Sequence, residues 1–155
     1  MSIMFRGHFE HAIDAKGRTS LPARFRHVLT TAGDLRLVVT PGLSAPSQPY
    51  LDVYPMAAWE QFEAEVAKHR KWDPDIVRLR RRYVSAAVEC ELDRQGRVLI
   101  PPSLREHASL SKQVLWAGVG NVMELWSREL WEAALEMTDE DDSDWRTVIG
   151  EKLDL

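Results

Sequence analysis

The sequence predicts a mixed α+β fold with pseudo-twofold symmetry, and three observations lead to it. A segment near the N-terminus recurs 79 residues later with its turn residues in register. Within each copy, apolar residues alternate with polar ones, which is the period of a half-buried β-strand. Each copy holds only four short strands and a small helix, too few for a core of its own. Two intertwined copies that close a β-barrel would cover the exposed sheet edges.

The repeat is clearest where residues 10–22 align with residues 89–101, because Glu, Asp, Gly, Arg and Pro recur in register. Arg26 falls on Arg105 at the same offset. The match is looser downstream, where residues 35–39 resemble residues 113–117 and Trp59 corresponds to Trp131. The spacing shrinks there to 72 because the first copy has a longer loop at residues 41–49. This pattern indicates an internal duplication.

The elements of the first copy follow in order along the chain. Alternation from Phe5 to Ile13 predicts a strand, and residues 14–17 supply turn chemistry, since Asp bonds to nearby backbone and Gly tolerates positive φ. A second strand ends at Pro22, which lacks an N–H but suits the first turn of a helix. We expect that helix at 23–29, strands at 35–39 and 51–54, and a longer helix at 56–69.

The second copy repeats this order after a helical connection. Asp73-Pro74 starts a helix that carries four arginines (Arg78, Arg80, Arg81 and Arg82) into it. We expect strands at 86–92, 98–100, 114–117 and 122–126, and helices at 103–107 and 128–137. The predicted units are a first repeat (5–55), a helical connection (56–82), a second repeat (83–127), and a C-terminal helix with an acidic tail (128–155).

Charge is distributed unevenly along the chain. The net charge of −4 argues at face value against a nucleic-acid binder. Residues 1–127, however, carry 17 basic and 14 acidic side chains, whereas residues 128–155 carry 3 and 10. An acidic end of −7 therefore hides a weakly basic body of +3. The net charge is therefore a misleading average, and an asymmetry of this kind is a reason to look further along the sequence.

Other classes of protein are disfavoured by composition. No apolar run approaches the roughly 18 residues that a membrane helix needs. The N-terminal residues lack the basic stretch and apolar core of a secretory signal. The single cysteine cannot form a disulfide within the chain. We expect a soluble, cytoplasmic protein.

The motif with the clearest chemistry is Asp-x-x-Gly-Arg, which occurs twice, at residues 14–18 and 93–97. Gly17 and Gly96 fix the turns, and Asp14 and Asp93 are placed to orient the arginines that follow. An arginine held in this way can read a guanine edge or bind a phosphate. The candidate DNA-binding residues are Arg18, Arg97, Lys16 and Arg94. The alternative is an ordinary hairpin with an Asp–Arg brace, which duplication would also copy.

Three segments together resemble the bacterial MraZ family: Met4-Phe5-Arg6-Gly7, residues 14–22 (DAKGRTSLP), and residues 93–102 (DRQGRVLIPP). The similarity extends over about residues 4–135. It implies two AbrB-like swapped-hairpin repeats that form a barrel with flanking helices. It also implies a sequence-specific DNA-binding transcriptional regulator of the division and cell-wall gene cluster, associated with the nucleoid. Family members assemble into closed rings, in which adjacent subunits contact short repeated promoter boxes.

The family's Asp-x-x-x-Arg signature is intact at Asp14/Arg18 and at Asp93/Arg97. The resemblance therefore carries the family's signature onto these four residues, of which Arg18 and Arg97 are the candidate DNA-binding ones and Asp14 and Asp93 the orienting ones. The expected partners are double-stranded DNA and further copies of the same chain. We expect no membrane association, small-molecule substrate, cofactor, metal ion or enzymatic activity.

Rival interpretations remain open from the sequence alone. Cys90 could be a nucleophile, but it lies on the alternating apolar face of a strand, where packing is the commoner role. Six tryptophans could serve a purely structural oligomer without specific DNA binding. The basic residues 78–82 could bind phosphate, or could pair with Glu60, Glu63 and Glu65 of the preceding helix. The acidic tail at 139–144 could be a solvating end or a competitor of DNA for the arginines.

Overall fold

The residues that the structure describes form eight β-strands, six α-helices and one π-helical turn. The computed structural model describes residues 4–43, 47–140 and 145–154. The strands are β1 (Phe5–Ala12), β2 (Arg18–Ser20), β3 (Arg36–Pro41), β4 (Leu51–Pro55), β5 (Val88–Glu91), β6 (Arg97–Leu99), β7 (Gln113–Gly120) and β8 (Met123–Ser127). The helices are α1 (Ala23–Ala32), α2 (Met56–Ala67), α3 (Pro74–Leu79), α4 (Pro102–His107), α5 (Arg128–Glu140) and α6 (Trp145–Leu153). The α+β class is confirmed.

The strands form one six-stranded antiparallel sheet, in the order β1-β7-β8-β4-β3-β5, and a two-stranded ribbon of β2 with β6. Four pairings join the first half of the chain to the second: β1 with β7, β3 with β5, β4 with β8, and β2 with β6. When each strand of one repeat is exchanged for its counterpart in the other, the same order results, read from the opposite edge of the sheet. Within the described residues, no ladder joins the edge strands β1 and β5, so the closed barrel stays a prediction.

Strand register corrects one detail of the predicted repeat. Arg36 lies opposite Glu91, and Gln113 lies opposite Ala12, the counterpart of Glu91. Arg36 therefore corresponds to Gln113, one residue later than the alignment of residues 35–39 with 113–117. The sequence comparison was misled by Leu35, an apolar residue that is 39% exposed. A slip of one residue would move every side chain of the strand to the other face of the sheet.

Both repeats contribute to one hydrophobic core. Phe25 of α1 and Leu104 of α4 are buried in it, as are Val39 of β3 and Trp116 of β7. A second cluster lies on the other face of the sheet, where α2 covers the first repeat, and it contains Val38, Tyr54, Met56, Ala58, Trp59 and Tyr83. The main core is therefore built jointly by residues of both repeats.

Each Asp-x-x-Gly-Arg turn is bonded to the opposite repeat. The backbone N–H of Leu21 donates to the carbonyl of Gly96 at 2.9 Å, and the N–H of Ile100 donates to the carbonyl of Gly17 at 2.8 Å. Gly17 and Gly96 have φ values of 91° and 75°, a region that side chains other than glycine disfavour. The turns are therefore held by the partner repeat as well as by their own hydrogen bonds.

The helical connection begins as expected at Asp73, whose carboxylate accepts from the N–H of Asp75 at 2.9 Å, and Pro74 occupies the first turn. The helix then widens into a π-helical turn at Arg80–Val84. Arg78 pairs with Asp75 of its own helix at 3.7 Å. Among the described residues, no ion pair joins this basic segment to the glutamates of α2.

Other helix ends differ from expectation. The first helix continues to Ala32 and stops at Gly33, whose φ of 80° forms a left-handed cap. Helix α2 ends at Ala67, two residues earlier than predicted. In the acidic tail, residues 141–144 lie outside the described residues.

Two carboxyl groups face each other where β4 meets β8. Asp52 lies directly opposite Glu124, and these two residues are counterparts in the repeat. The hydroxyl of Tyr83 donates to Asp52 at 2.5 Å, and the indole N–H of Trp126 donates to Glu124 at 2.9 Å. Burial raises the pKa of Asp52 to about 6, and nearby Glu124 adds to the rise. Burial also raises the pKa of Glu124.

We predict that Gly17→Ala destabilises the protein more than Gly33→Ala. Both glycines have positive φ, which costs a residue with a side chain about 1–2 kcal/mol. A Cβ at Gly33 would meet nothing within 4 Å, whereas a Cβ at Gly17 would lie 2.8 Å from the carbonyl oxygen of Ile100. Urea unfolding of both variants measures the difference, expected to be at least about 1 kcal/mol. Equal losses of stability would contradict the packing of this turn against the other repeat.

We predict that Asp52→Asn stabilises the protein at pH 7.5 and much less at pH 4.5. Because the pKa of Asp52 is raised in the folded state, folding favours its protonated form. The stability that this group contributes is fully present below its usual pKa and is lost as pH rises through about 6. Two pKa units correspond to about 2–3 kcal/mol at neutral pH. Urea unfolding at both pH values measures this gain, with Glu60→Gln on the exposed side of α2 as the control. A gain that does not change with pH would contradict the assignment.

Candidate nucleic-acid interface

The first candidate turn holds Arg18 in one orientation through Asp14. One carboxylate oxygen of Asp14 accepts from the backbone N–H groups of Lys16 and Arg18, at 3.0 and 2.9 Å. The other oxygen accepts from Nε of the Arg18 guanidinium at 3.0 Å. With Nε bound, the guanidinium has a fixed edge, and its terminal nitrogens remain as donors.

The second turn repeats this geometry. Asp93 accepts from the backbone N–H groups of Gln95 and Arg97, both at 2.9 Å, and from Nε of Arg97 at 2.9 Å. In both turns the glycine N–H donates to the aspartate carbonyl at 3.0 Å. The structure therefore forms the Asp–Arg brace that the sequence predicts, twice and with the same hydrogen bonds.

Both aspartates are ionised at neutral pH. The backbone N–H of Arg18, assisted by its guanidinium, holds the pKa of Asp14 below its usual value. Arg97 does the same for the pKa of Asp93. Each brace is thus a pair of opposite charges that persists until the solution becomes strongly acidic.

The two arginines lie on one face of the β2–β6 ribbon. Arg18 is opposite Leu99 and Ser20 is opposite Arg97, while Thr19 and Val98 pair between them. Thr19 and Val98 are 1% and 0% exposed, so they face the core. Alternation then turns Arg18 and Arg97 outward, as diagonal neighbours about 7–8 Å apart. Their side chains are 35% and 32% exposed.

The geometry of the ribbon suits a DNA groove. A two-stranded β-ribbon fits the width of the major groove, where an arginine can donate two hydrogen bonds to a guanine. Lys16 and Arg94, which are exposed, add positive charge at the tips of the turns. They occupy neighbouring rather than equivalent positions, because Lys16 corresponds to Gln95 and Arg94 corresponds to Ala15. The structure thus brings all eight predicted site residues into the two turns that flank this ribbon.

Two residues that were not among the predicted site residues hold the ribbon to the sheet. Nδ1 of His11 on β1 donates to the carbonyl of Ser20 at 2.7 Å. Its counterpart in the repeat is Cys90 on β5, whose thiol donates to the carbonyl of Leu99 at 3.6 Å. The sequence could have indicated this pair, because His11 and Cys90 occupy equivalent positions in the two repeats. The difference in residue type concealed the equivalence.

Two further residues recur in the sequence but were not predicted to belong to the site. The guanidinium of Arg26 lies against Gly96, and that of Arg105 lies against Gly17, so each arginine covers a turn of the other repeat. Their recurrence at the same offset as the turns was the available signal. The contact itself depends on how the two repeats interlock.

The structure gives Cys90 a packing role. Burial raises the pKa of its thiol to about 11, so the nucleophilic thiolate is scarce at neutral pH. Among the described residues, no group of three or more His, Cys, Asp or Glu side chains is arranged to hold a metal ion. No helix in the described part of the chain is long and apolar enough to span a membrane.

Tryptophan side chains are mostly internal. Trp59, Trp116 and Trp126 are at most 6% exposed, and Trp131 packs edge-on against Trp126. Trp72, in the connection between α2 and α3, is 81% exposed. Five of the six tryptophans therefore have described surroundings, and four of those five pack within the subunit.

Comparison with known proteins gives a consistent result. The family model described as "MraZ protein, putative antitoxin-like" matches the chain twice, at residues 4–79 and 84–149. A protein named Transcriptional regulator MraZ from Thermoanaerobacter pseudethanolicus is 43% identical over 136 residues, which is 88% of this chain and 90% of the relative. Proteins of the same name from Moorella thermoacetica and Thioalkalivibrio sulfidiphilus are 41% and 38% identical, over 97% and 98% of this chain and 96% and 100% of theirs.

These relatives carry the name of a regulator and not of an enzyme, which confirms the expectation of a non-enzymatic protein. The family model covers both repeats, and the relatives align with nearly the whole chain. The resemblance predicted from the duplicated signature is thereby confirmed: this chain belongs to the MraZ family.

Proposed function

We propose that this protein is a sequence-specific DNA-binding transcriptional regulator of its own operon, within the division and cell-wall gene cluster. The observation that carries the proposal is the pair of outward-facing arginines on one ribbon, each fixed at Nε by an aspartate. The names of the relatives support the same class of function. On this proposal the working location is the cytoplasm, at the nucleoid.

The arginines read bases through the nitrogens that the aspartates leave unoccupied. Arg18 and Arg97 approach guanine with two donors each, which matches the O6 and N7 acceptors of its major-groove edge. Because Asp14 and Asp93 restrict rotation of the guanidinium groups beforehand, little conformational entropy is lost on binding. Lys16 and Arg94 then contact the flanking phosphates, which set position without reading sequence.

Several subunits act together in a closed ring. A body charge near +3 neutralises few phosphates, so a single subunit binds DNA weakly. Adjacent subunits present several ribbons to one duplex, and their linkage raises the effective concentration of each contact. Repeated promoter boxes then match repeated protein units, held by a heterologous interface that closes on itself. Exposed apolar side chains such as Trp72 and Leu43 supply surface for that interface.

Within one subunit, we propose that residues 5–55 and 83–127 are the two AbrB-like units of a closed barrel with a pseudo-twofold axis. The exchangeable strand order supports the axis. Residues 56–82 then connect the repeats, and residues 128–155 form the C-terminal helical part with the acidic tail. The axis passes between Asp52 and Glu124, which are counterparts and face each other.

We predict that the double variant Arg18→Ala/Arg97→Ala loses specific promoter binding but remains folded and oligomeric. Removing one bidentate arginine–guanine pair costs about 1–3 kcal/mol of discrimination. The exposed Asp–Arg braces contribute little to stability, so the melting temperature should change by only a few degrees. Fluorescence anisotropy with DNA from upstream of the protein's own gene measures binding, and native mass spectrometry measures assembly.

The matched control is Arg78→Ala/Arg81→Ala, which removes the same charge from the basic connecting segment. We expect this variant to keep its preference for promoter over scrambled DNA. Specific binding that survives in the ribbon variant would refute the site. A loss confined to the control would assign DNA binding to the connecting helix, and the absence of any preference in the unmodified protein would favour a structural oligomer.

We predict that Asp14→Asn/Asp93→Asn weakens specific binding although it makes the protein more positive by two charges. Asparagine still accepts the backbone N–H bonds of the turn through its carbonyl oxygen, but its amide nitrogen cannot accept from Nε of the arginine. Binding to scrambled DNA should therefore tighten slightly while the specificity ratio falls about tenfold or more.

The control for this experiment is Asp34→Asn/Asp75→Asn. Asp34 and Asp75 pair with Arg36 and Arg78, so the control makes the same change in charge and frees two arginines elsewhere. It should raise non-specific binding without lowering the specificity ratio. Equal specificity ratios in both double variants would contradict the orienting role of Asp14 and Asp93.

A further inference from the structure

Each turn of the candidate interface is covered by an arginine from the opposite repeat. A Cβ built on Gly17 would lie 2.6 Å from Nε and 2.7 Å from Cζ of Arg105. A Cβ built on Gly96 would overlap Nη1 of Arg26. Because glycine has no side chain, a guanidinium group can lie directly against Gly17, which precedes Arg18, and another against Gly96, which precedes Arg97.

These two guanidinium groups differ from the braced ones because they form no ion pair within the described ranges of the chain. Arg18, Arg36, Arg78, Arg97 and Arg128 form ion pairs with carboxylates. Among the described residues, no carboxylate pairs with Arg26 or Arg105. Nε of Arg105 is moreover buried with no hydrogen-bond partner. A half-buried cation without a partner is costly, and an anion from outside the protein would compensate it.

The braces leave the turns without net charge of their own. Asp14 cancels Arg18, and Asp93 cancels Arg97, so the arginines that read bases attract phosphate only weakly. The positive charge at the first turn comes from Lys16 and Arg105, and at the second turn from Arg94 and Arg26. Orientation and electrostatic attraction are thus supplied by different residues.

We propose that Arg26 and Arg105 form two phosphate-binding sites for the DNA backbone, each completed by a turn of the other repeat. The ligand is a phosphodiester oxygen beside the base that the neighbouring braced arginine reads. This inference rests on the proposed function, because it places the phosphates of the same duplex. On this proposal, each of the two phosphate sites is formed by residues of both repeats.

The test compares Arg26→Gln/Arg105→Gln with Arg26→Lys/Arg105→Lys by anisotropy between 50 and 200 mM KCl. One duplex comes from upstream of the protein's own gene, and the other is a scrambled duplex of equal length. The slope of log K against log salt falls by about 0.9 for each phosphate that the protein no longer neutralises. Between 50 and 200 mM KCl, the affinity of the unmodified protein should therefore fall by a factor about ten times larger than that of the glutamine variant, for each bound subunit. The lysine variant should retain most of the slope.

The specificity ratio separates this role from base reading. In the glutamine variant, affinity for both duplexes should fall by a similar factor, whereas the ratio falls when Arg18 and Arg97 are removed. An unchanged slope would overturn the inference, as would a fall in the specificity ratio, since that would make the two arginines supports of the reading residues. If the double variant does not fold, each single glutamine variant should show half of the change in slope.

Failure of the inference can be distinguished from failure of the proposed function. Unmodified protein that prefers promoter DNA, with a salt slope that the glutamine substitutions leave unchanged, refutes only the phosphate sites. Unmodified protein with no preference for promoter DNA refutes the proposed function. The salt slope on scrambled DNA still decides the phosphate sites in that case, because phosphate contacts do not depend on sequence.

Discussion

The exchange of turns between the two repeats is the constraint on which the rest of the structure depends. Leu21 bonds to Gly96 and Ile100 bonds to Gly17. Among the described residues, the two short strands between these bonds form a ladder with each other, and β2 makes one further bridge, from Thr19 to Ile13. A three-residue strand has little stability alone, so the ribbon exists because both repeats deliver a strand to the same place. Its inner side chains are buried in the common core, which leaves its outer face to present Arg18 and Arg97.

The placement of the charged side chains on this face of the ribbon matters more than their total charge. The chain as a whole is acidic, and even its basic body carries only a small excess. Yet two arginines are oriented by aspartates, while Arg26 and Arg105 lie over the turn glycines without an ion pair to any carboxylate in the described part of the chain. The same residue type is thus found in two electrostatic environments within a few ångströms. Total charge, which averages them, is a poor guide to such a surface.

The sequence predicted the local features of the site well because their hydrogen bonds span only four residues. Asp14 to Arg18 and Asp93 to Arg97 form the turns that the motif indicates, and the helix start at Asp73-Pro74 is of the same local kind. Prediction was poorer wherever distant segments meet. The alignment of β3 with β7 between the repeats was one residue off because an exposed leucine resembled a core residue.

The contacts of Arg26 and Arg105 illustrate the same limit. The repeat showed that the two residues are equivalent, but nothing local indicated which turn each would cover. Each covers the turn of the other repeat, which depends on the pairing of β2 with β6. Likewise, the equivalence of His11 and Cys90 as ties to the ribbon follows only from hydrogen bonds to Ser20 and Leu99.

The facing carboxyls of Asp52 and Glu124 show what joining both repeats in one chain permits. Two separate copies of a single repeat would place identical residues at this junction, with identical partners on both sides. Here one side has an aspartic acid bonded by a tyrosine, and the other has a glutamic acid bonded by a tryptophan. Mutation has therefore acted on each half separately, and the two repeats differ chemically at the point where β4 pairs with β8.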